Sequence, residues 1–194
     1  MDNLHRAIFI DRDGVIIENR SDYVRSWEDV AIYPQALRAL SMICDSDYKI
    51  VIITNQSAVG RGIISQSTAD EINQRLLIEI ESAGGRIDGV YMCPHAPEMN
   101  CACRKPKPGL LLTAAEELSL NLRKSIMIGD ALTDIMAGQA AGVGRNMLVL
   151  TGRGAEQSKL PRPTDMAPYE CYESLHRAVN HIVVNSSDNE TSAK

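Results

Sequence analysis

No stretch of about eighteen consecutive apolar residues, the length a helix needs to cross a membrane, occurs in this 194-residue chain. The N-terminus, MDNLHRAIFIDRDG, lacks the apolar core and small-residue cleavage site of a secretory leader. The expectation is a cytoplasmic protein with no membrane partner. Positive charge is not in excess either: the net charge is −5, which gives no electrostatic reason to expect nucleic acid as a partner. A phosphorylated ligand would have to be held by a local cluster of bases. There is no internal repeat, and the five cysteines are an odd number, unlike a disulfide framework. A chain of this size buries roughly 70% of its unfolded surface, so its core requires no covalent or metal staple.

Short β-prone runs are present, and each ends in polar residues. They are AIFI before Asp11, KIVIITN at 49–55, VYMC at 90–93, SIMIG at 125–129 and NMLVL at 146–150. Between them, helical periodicity covers 34–43, 67–83, 107–121 and 132–141, and a last amphipathic helix is expected near 170–182 after a polar, proline-rich loop at 155–169. Near-continuous Ile/Val strands alternating with helices predict a three-layer α/β fold, a doubly wound, mostly parallel sheet covered on both faces. One domain is expected over 1–184, with NSSDNETSAK at 185–194 a disordered polar tail.

In such sheets the ligand lies beyond the carboxyl ends of the strands, and the polar oddities all fall there. Asp11 and Asp13 follow the first strand, Thr54 and Asn55 the second, Arg104 and Lys105 the third, and Asp130 and Asp134 the fourth. A lone Asp-Arg-Asp-Gly reads equally well as a turn that closes a strand. Several carboxylates gathered at one rim repel unless a cation sits among them, and all-oxygen ligands suit Mg²⁺.

A second cluster is Cys93, His95, Cys101 and Cys103. In a reducing compartment it reads as metal ligands, and its four thiolate and imidazole donors suit Zn²⁺. Four protein ligands leave no open position for substrate, which makes this zinc structural: a staple for the loop 93–103 that aims Arg104 and Lys105 at the rim.

The motifs DRDGV, ITNQS, RKPKPG and GDALTD, in this order, resemble those of the haloacid dehalogenase-like phosphohydrolases. The resemblance implies that Asp11 is the nucleophile forming an aspartyl-phosphate and Asp13 the general acid and base. It implies that Thr54 and Lys105 hold phosphoryl oxygens, and that Mg²⁺ is bound by Asp11, Asp130 and the Asp13 backbone carbonyl. Asp134 reads equally as a helix cap. The zinc loop, and residues 15–48 too short for an inserted cap, resemble a capless subgroup acting on sugar bisphosphates or histidinol phosphate.

Within that subgroup, DYV at 22–24, TNQSAVGRG at 54–62 and RKPKPG at 104–109 resemble the branch that removes the 7-phosphate of a heptose 1,7-bisphosphate. That branch feeds ADP- or GDP-activated heptose. Tyr23, Asn55, Gln56, Ser57, Arg61 and Arg104 are then the substrate-binding candidates, with Arg20 behind them; for Arg61 and Arg20 a solvated surface arginine is an equal reading. Two positions depart from the pattern: Val15 stands where threonine is commoner, and Ala131 where that branch commonly has a lysine, a base that Lys107 would have to replace. Histidinol phosphate as substrate, a phosphotransferase outcome and a non-catalytic phospholigand-binding module remain as alternatives. The expected oligomeric state is a monomer.

Overall fold

A computed structural model describes the backbone of residues 4–191 and the side chains of 4–185. Six strands form one sheet: β1 (Arg6–Ile10), β2 (Tyr48–Asn55), β3 (Gly89–Cys93), β4 (Ile126–Gly129), β5 (Arg145–Val149) and β6 (Glu170–Tyr172). Their order is β3-β2-β1-β4-β5-β6, and every ladder is parallel. The helices are α1 (Pro34–Met42), α2 (Ser57–Gly60), α3 (Gln66–Ser82), α4 (Gly109–Glu117), α5 (Leu132–Ala141), α6 (Gly154–Gln157) and α7 (Leu175–Thr191).

The period-two geometry of a strand sends alternate side chains to opposite faces, and this sheet buries both. Ile8, Ile10, Ile50, Ile52, Ile126, Ile128, Met147 and Val149 pack with Leu40 of α1, Leu76 of α3 and Val179 of α7. Ala7, Phe9, Val51, Ile53 and Met127 point the other way, against Leu110 and Leu111 of α4 and Ala137 of α5. The unbroken apolar strands of the sequence therefore serve two cores at once. Between β1 and β2 lie a loop with a 3₁₀ turn at Trp27–Asp29 and α1, and no separate cap domain.

The C-terminal part differs from the sequence expectation. Residues 170–172 pair with β5 as a sixth strand, and the last helix begins only at Leu175. Arg145 grips Glu170 through two hydrogen bonds of 3.0 Å across this ladder, a tertiary pairing that helical periodicity cannot register. The polar loop expected at 155–169 begins with the single turn of α6, and α4 is shorter than 107–121: Pro108 disfavours helical backbone at Lys107 before it, and Ser119 turns left-handed with φ 52°. Helix α7 takes in the start of the polar stretch at 185, whereas residues 192–194 lie outside the described residues. Among the described residues no helix is long and apolar enough to cross a membrane.

The strand order reverses direction around β1, whose neighbours are β2 and β4. The crevice above the carboxyl ends of these three strands is the topological switch point. Asp11, Thr54 and Asp130 follow or end them and are buried there.

Candidate active site

A polar cavity of about 280 Å³ opens at this crevice, lined among others by Asp11, Asp13, Asn55, Lys105, Asp134 and Arg153. At its floor the Lys105 ammonium donates to Asp11 Oδ1 over 2.6 Å and to the backbone carbonyl of Ile53 over 2.7 Å, and pairs with Asp134 Oδ1 at 2.7 Å. Lys105 is only 3% exposed. Burial disfavours its charge, but the carboxylates of Asp11 and Asp134 outweigh that and hold its pKa above the ordinary lysine value. Burial pushes Asp11 the other way for a carboxyl, up to about 8; Lys105 opposes the rise, and Asp134, Asp130 and Asp13 add to it.

The backbone that carries Lys105 is fixed by a side chain of β2. Asn55 Nδ2 donates to the Lys105 carbonyl and Asn55 Oδ1 accepts from the Lys105 amide, both at 3.1 Å. This amide-to-peptide clamp joins two segments fifty residues apart in the chain.

Asp13 is held separately. The guanidinium of Arg12 meets it as a fork, Nε to Oδ2 at 3.0 Å and Nη2 to Oδ1 at 3.2 Å, while Arg12 Nη1 donates to Asn73 Oδ1 at 2.7 Å. Gln56 Nε2 adds a 2.7 Å bond to Asp13 Oδ2 and one of 2.8 Å to Thr54 Oγ1, and the Thr54 hydroxyl approaches Asp13 Oδ2 at 3.4 Å. Arg12 is 1% exposed, so its charge is neutralised inside the protein by Asp13 rather than by water.

Asp130 is fully buried, and burial raises its pKa against the opposing donors of Arg153. It accepts from Asn19 Nδ2 at 2.7 Å, from the Arg153 amide at 2.8 Å and from Arg153 Nη2 at 3.3 Å. Gly14, at φ +88°, sits against it: a Cβ there would stand 2.1 Å from Asp130 Oδ2. Only glycine offers both that backbone conformation and that closeness.

Asp11, Asp130 and Asp134 each bring a carboxylate oxygen within 4.8 Å of the others. Their carboxyl oxygens, beside the two cations Lys105 and Arg153, make an all-oxygen setting that fits a hard divalent cation, whose charge would also favour the ionised form of Asp11 that burial disfavours. Asp134 also caps α5, accepting the Ala131 amide on Oδ2 at 3.0 Å, while its Oδ1 pairs with Lys105.

Cys93, His95, Cys101 and Cys103 converge on one point beside the cavity. Cys103 Sγ lies 3.1 Å from Cys93 Sγ, 3.3 Å from Cys101 Sγ and 3.2 Å from His95 Nδ1. Tetrahedral bonds of about 2.3 Å around a zinc ion would place sulfurs roughly 3.8 Å apart, so the donors are gathered on that scale. The loop is tied to β2 and α2 by Gln56 N to Cys93 O and Gly60 N to Pro94 O, both 2.7 Å. Arg104, which lines the cavity, donates back to the His95 carbonyl at 3.2 Å.

A HAD-hydrolase-like family model matches residues 102–178. The chain is 40% identical over 149 residues to the D-glycero-beta-D-manno-heptose-1,7-bisphosphate 7-phosphatase of Helicobacter pylori (strain ATCC 700392 / 26695), covering 76% of this chain and 86% of that protein. To the enzyme of the same name from Bordetella bronchiseptica it is 34% identical over 162 residues, 82% of this chain and 90% of that one. The chain belongs to the haloacid dehalogenase-like phosphatases. The crystal structure of D,D-heptose 1,7-bisphosphate phosphatase from B. bronchiseptica, complexed with magnesium and phosphate, matches with a TM-score of 0.87 at 29% identity, over 93% of this chain and 99% of that one.

The phosphatase brings together at one cavity Asp11, Asp13, Asn19, Arg20, Tyr23, Asn55, Gln56, Ser57, Arg104 and Lys105. Thr54 lies beneath it, fully buried against Asp13 and Gln56. Arg61 is not in the lining: it pairs with Glu98 of the loop 93–103 at 2.8 Å. Lys107, the expected replacement for a base at Ala131, turns instead to the carbonyl and side chain of Asn100 at 2.9 and 2.6 Å. A base does reach the wall, but it is Arg153. Sequence reasoning missed Arg12, Asn19, Asn73 and Arg153. Arg12 alone had a signal, a charged residue placed between the two aspartates directly after a buried strand; nothing local marks the others.

Proposed function

We propose that this phosphatase hydrolyses the 7-phosphate of D-glycero-D-manno-heptose 1,7-bisphosphate, in the β anomeric form that its curated relatives' names carry. The observation that carries the proposal is the convergence of Asp11, Lys105 and Asp13 on one cavity whose wall adds Arg20, Arg104 and Arg153. One phosphoryl group needs the floor; a second phosphate needs further cations at the mouth.

In this reading Asp11 attacks phosphorus and becomes the aspartyl-phosphate. Lys105, bonded to Asp11 at 2.6 Å, orients the attacking carboxylate and offsets charge on the transferring oxygens. Thr54, fully buried and outside the cavity lining, supports Asp13 together with Gln56 here, in place of the phosphoryl-oxygen contact that the resemblance implied. Asp13 gives a proton to the departing sugar oxygen and takes one from the attacking water. Asp11, Asp130 and the backbone carbonyl of Asp13 would hold Mg²⁺, with Asp134 beside them; bound there, it lets an anionic nucleophile approach an anionic phosphate. Cys93, His95, Cys101 and Cys103 would hold a structural Zn²⁺ that keeps Arg104 at the mouth. The chain acts as a monomer in this reading.

The test is phosphate release with Mg²⁺ from both anomers of the heptose bisphosphate, beside histidinol phosphate and fructose 1,6-bisphosphate. A lead of 10² or more in kcat/KM for the β anomer, about 2.7 kcal/mol of differential transition-state binding, is the expected result. A lead for histidinol phosphate would overturn the substrate and leave the phosphatase.

A further inference from the structure

The mechanism leaves one large buried group unused. Arg12 is among the largest fully buried side chains of the protein, and it reaches no solvent and does not line the cavity. A buried guanidinium is retained at a cost unless its donors are matched, and here three of its nitrogens are committed to two residues of different elements: Asp13 at the end of β1's loop and Asn73 on α3. Asn73 is itself 8% exposed and also lies outside the cavity lining.

The two oxygens of Asp13 are treated unequally. Oδ2 receives Arg12 Nε at 3.0 Å, Gln56 Nε2 at 2.7 Å and the Thr54 hydroxyl at 3.4 Å. Oδ1 receives a single donor, Arg12 Nη2 at 3.2 Å. A carboxylate oxygen has two lone-pair sites. Oδ2, with three donors, is saturated; Oδ1 keeps a site free, on a residue that lines the cavity.

We propose that Arg12, braced by Asn73, is a positioning residue that selects Oδ1 of Asp13 as the proton-carrying atom of the reaction. This rests on the acid and base role read for Asp13 above. As the Asp11 oxygen to phosphorus bond forms and the phosphorus to sugar-oxygen bond breaks, the Oδ1 proton passes to the sugar oxygen. As water attacks the aspartyl-phosphate, the new oxygen to phosphorus bond forms, the Asp11 to phosphorus bond breaks, and the water proton returns to Oδ1. A planar, two-point fork fixes the plane of the carboxylate, which a lysine ammonium, a point charge on a flexible stem, does not.

The experiment compares leaving groups. Transfer of a proton matters for a sugar alkoxide and little for p-nitrophenolate, so misaiming Oδ1 penalises the sugar bisphosphate selectively. For Arg12→Lys and for Asn73→Ala, kcat/KM is measured on the heptose bisphosphate and on p-nitrophenyl phosphate, with circular dichroism to establish folding. The expected result for Arg12→Lys is a loss on the sugar substrate at least tenfold larger than the loss on p-nitrophenyl phosphate, carried in kcat rather than KM. Asn73→Ala, which touches no substrate, should give the same selectivity at about threefold and serves as the test if Arg12→Lys does not fold. Equal losses on both substrates would overturn the proposal and leave Arg12 structural. Asp13→Asn is the control: if it too shows no selectivity, the acid and base reading of Asp13 has failed, whereas selectivity in Asp13→Asn without it in the Arg12 and Asn73 variants refutes only the clamp.

Discussion

Lys105 Nζ lies 2.6 Å from Asp11 Oδ1, and both residues are almost wholly removed from solvent. The pair joins the loop after β3 to the end of β1, ninety-four residues away in the chain, and Asp134 completes it at 2.7 Å. Removing one member of such a buried pair leaves an uncompensated charge, at a cost of about 3–5 kcal/mol. Lys105→Met is therefore expected to lower the unfolding free energy of the metal-free protein by that amount, read from denaturant titration, and to abolish turnover. The double variant Lys105→Met/Asp134→Asn should regain part of the stability and none of the activity, because one of the orphaned carboxyl groups is gone while Asp11 still lacks its cation.

The raised pKa of Asp11 gives the pH dependence of the metal-free protein a definite sign. The folded state holds the Asp11 proton up to about pH 8, whereas an unfolded carboxyl releases it near the ordinary value of 3.8. Between these values the folded chain binds more protons than the unfolded one, so the contribution to stability falls as pH rises. With divalent cations chelated, melting temperature should decline from about pH 4 to about pH 8, and Asp11→Asn should flatten that decline. Mg²⁺ added at pH 8 should stabilise the wild-type protein more than Mg²⁺ added at pH 5. A wild-type profile unchanged by the substitution would refute the assignment.

Stripping zinc is expected to act at a distance from the reacting atoms. The loop from Cys93 to Cys103 is tied to Gly60 and Gln56 by backbone bonds and holds Arg104 through the His95 carbonyl. A strong chelator should expose Cys93, Cys101 and Cys103 to thiol reagents, release zinc detectable by atomic absorption, and reduce kcat/KM by disordering Arg104 and Lys105. Zn²⁺ should restore activity and Mg²⁺ alone should not; recovery with Mg²⁺ alone would mean the loop needs no staple.

Gly14→Ala places a methyl group where Asp130 Oδ2 stands 2.1 Å away, on a backbone at φ +88°. Strain in that region costs about 1–2 kcal/mol for a residue with a Cβ, and displacement of Asp130 adds to it. The expected outcome is a lower melting temperature together with a weaker Mg²⁺ requirement curve in titrations of activity, shifted to higher concentration. An alanine variant with wild-type Mg²⁺ dependence would show that Asp130 has room to move.

Local sequence determined the alternation of strands and helices, the two-sided burial of the sheet and the rim at the strand ends. Isoleucine-rich runs such as AIFI and IVIIT state their own burial, and Asp11, Asp13, Thr54 and Asp130 sit at the points where such runs stop, with Lys105 in the loop after the third. The Cys93, His95, Cys101 and Cys103 cluster was legible for the same reason: its four donors are neighbours in the chain before they are neighbours in space. Tertiary structure alone decided the rest. Glu170–Tyr172 is a strand because β5 offers it an edge and Arg145 a partner. Arg153 meets Asp130 from twenty-three residues away, Asn19 meets it from one hundred and eleven, and Asn73 meets Arg12 from sixty-one. A charged side chain carries no local mark of whether it ends in solvent or against a partner. That outcome depends on which anion the folded sheet sets beside it, and periodicity along the chain holds no information about distance across it.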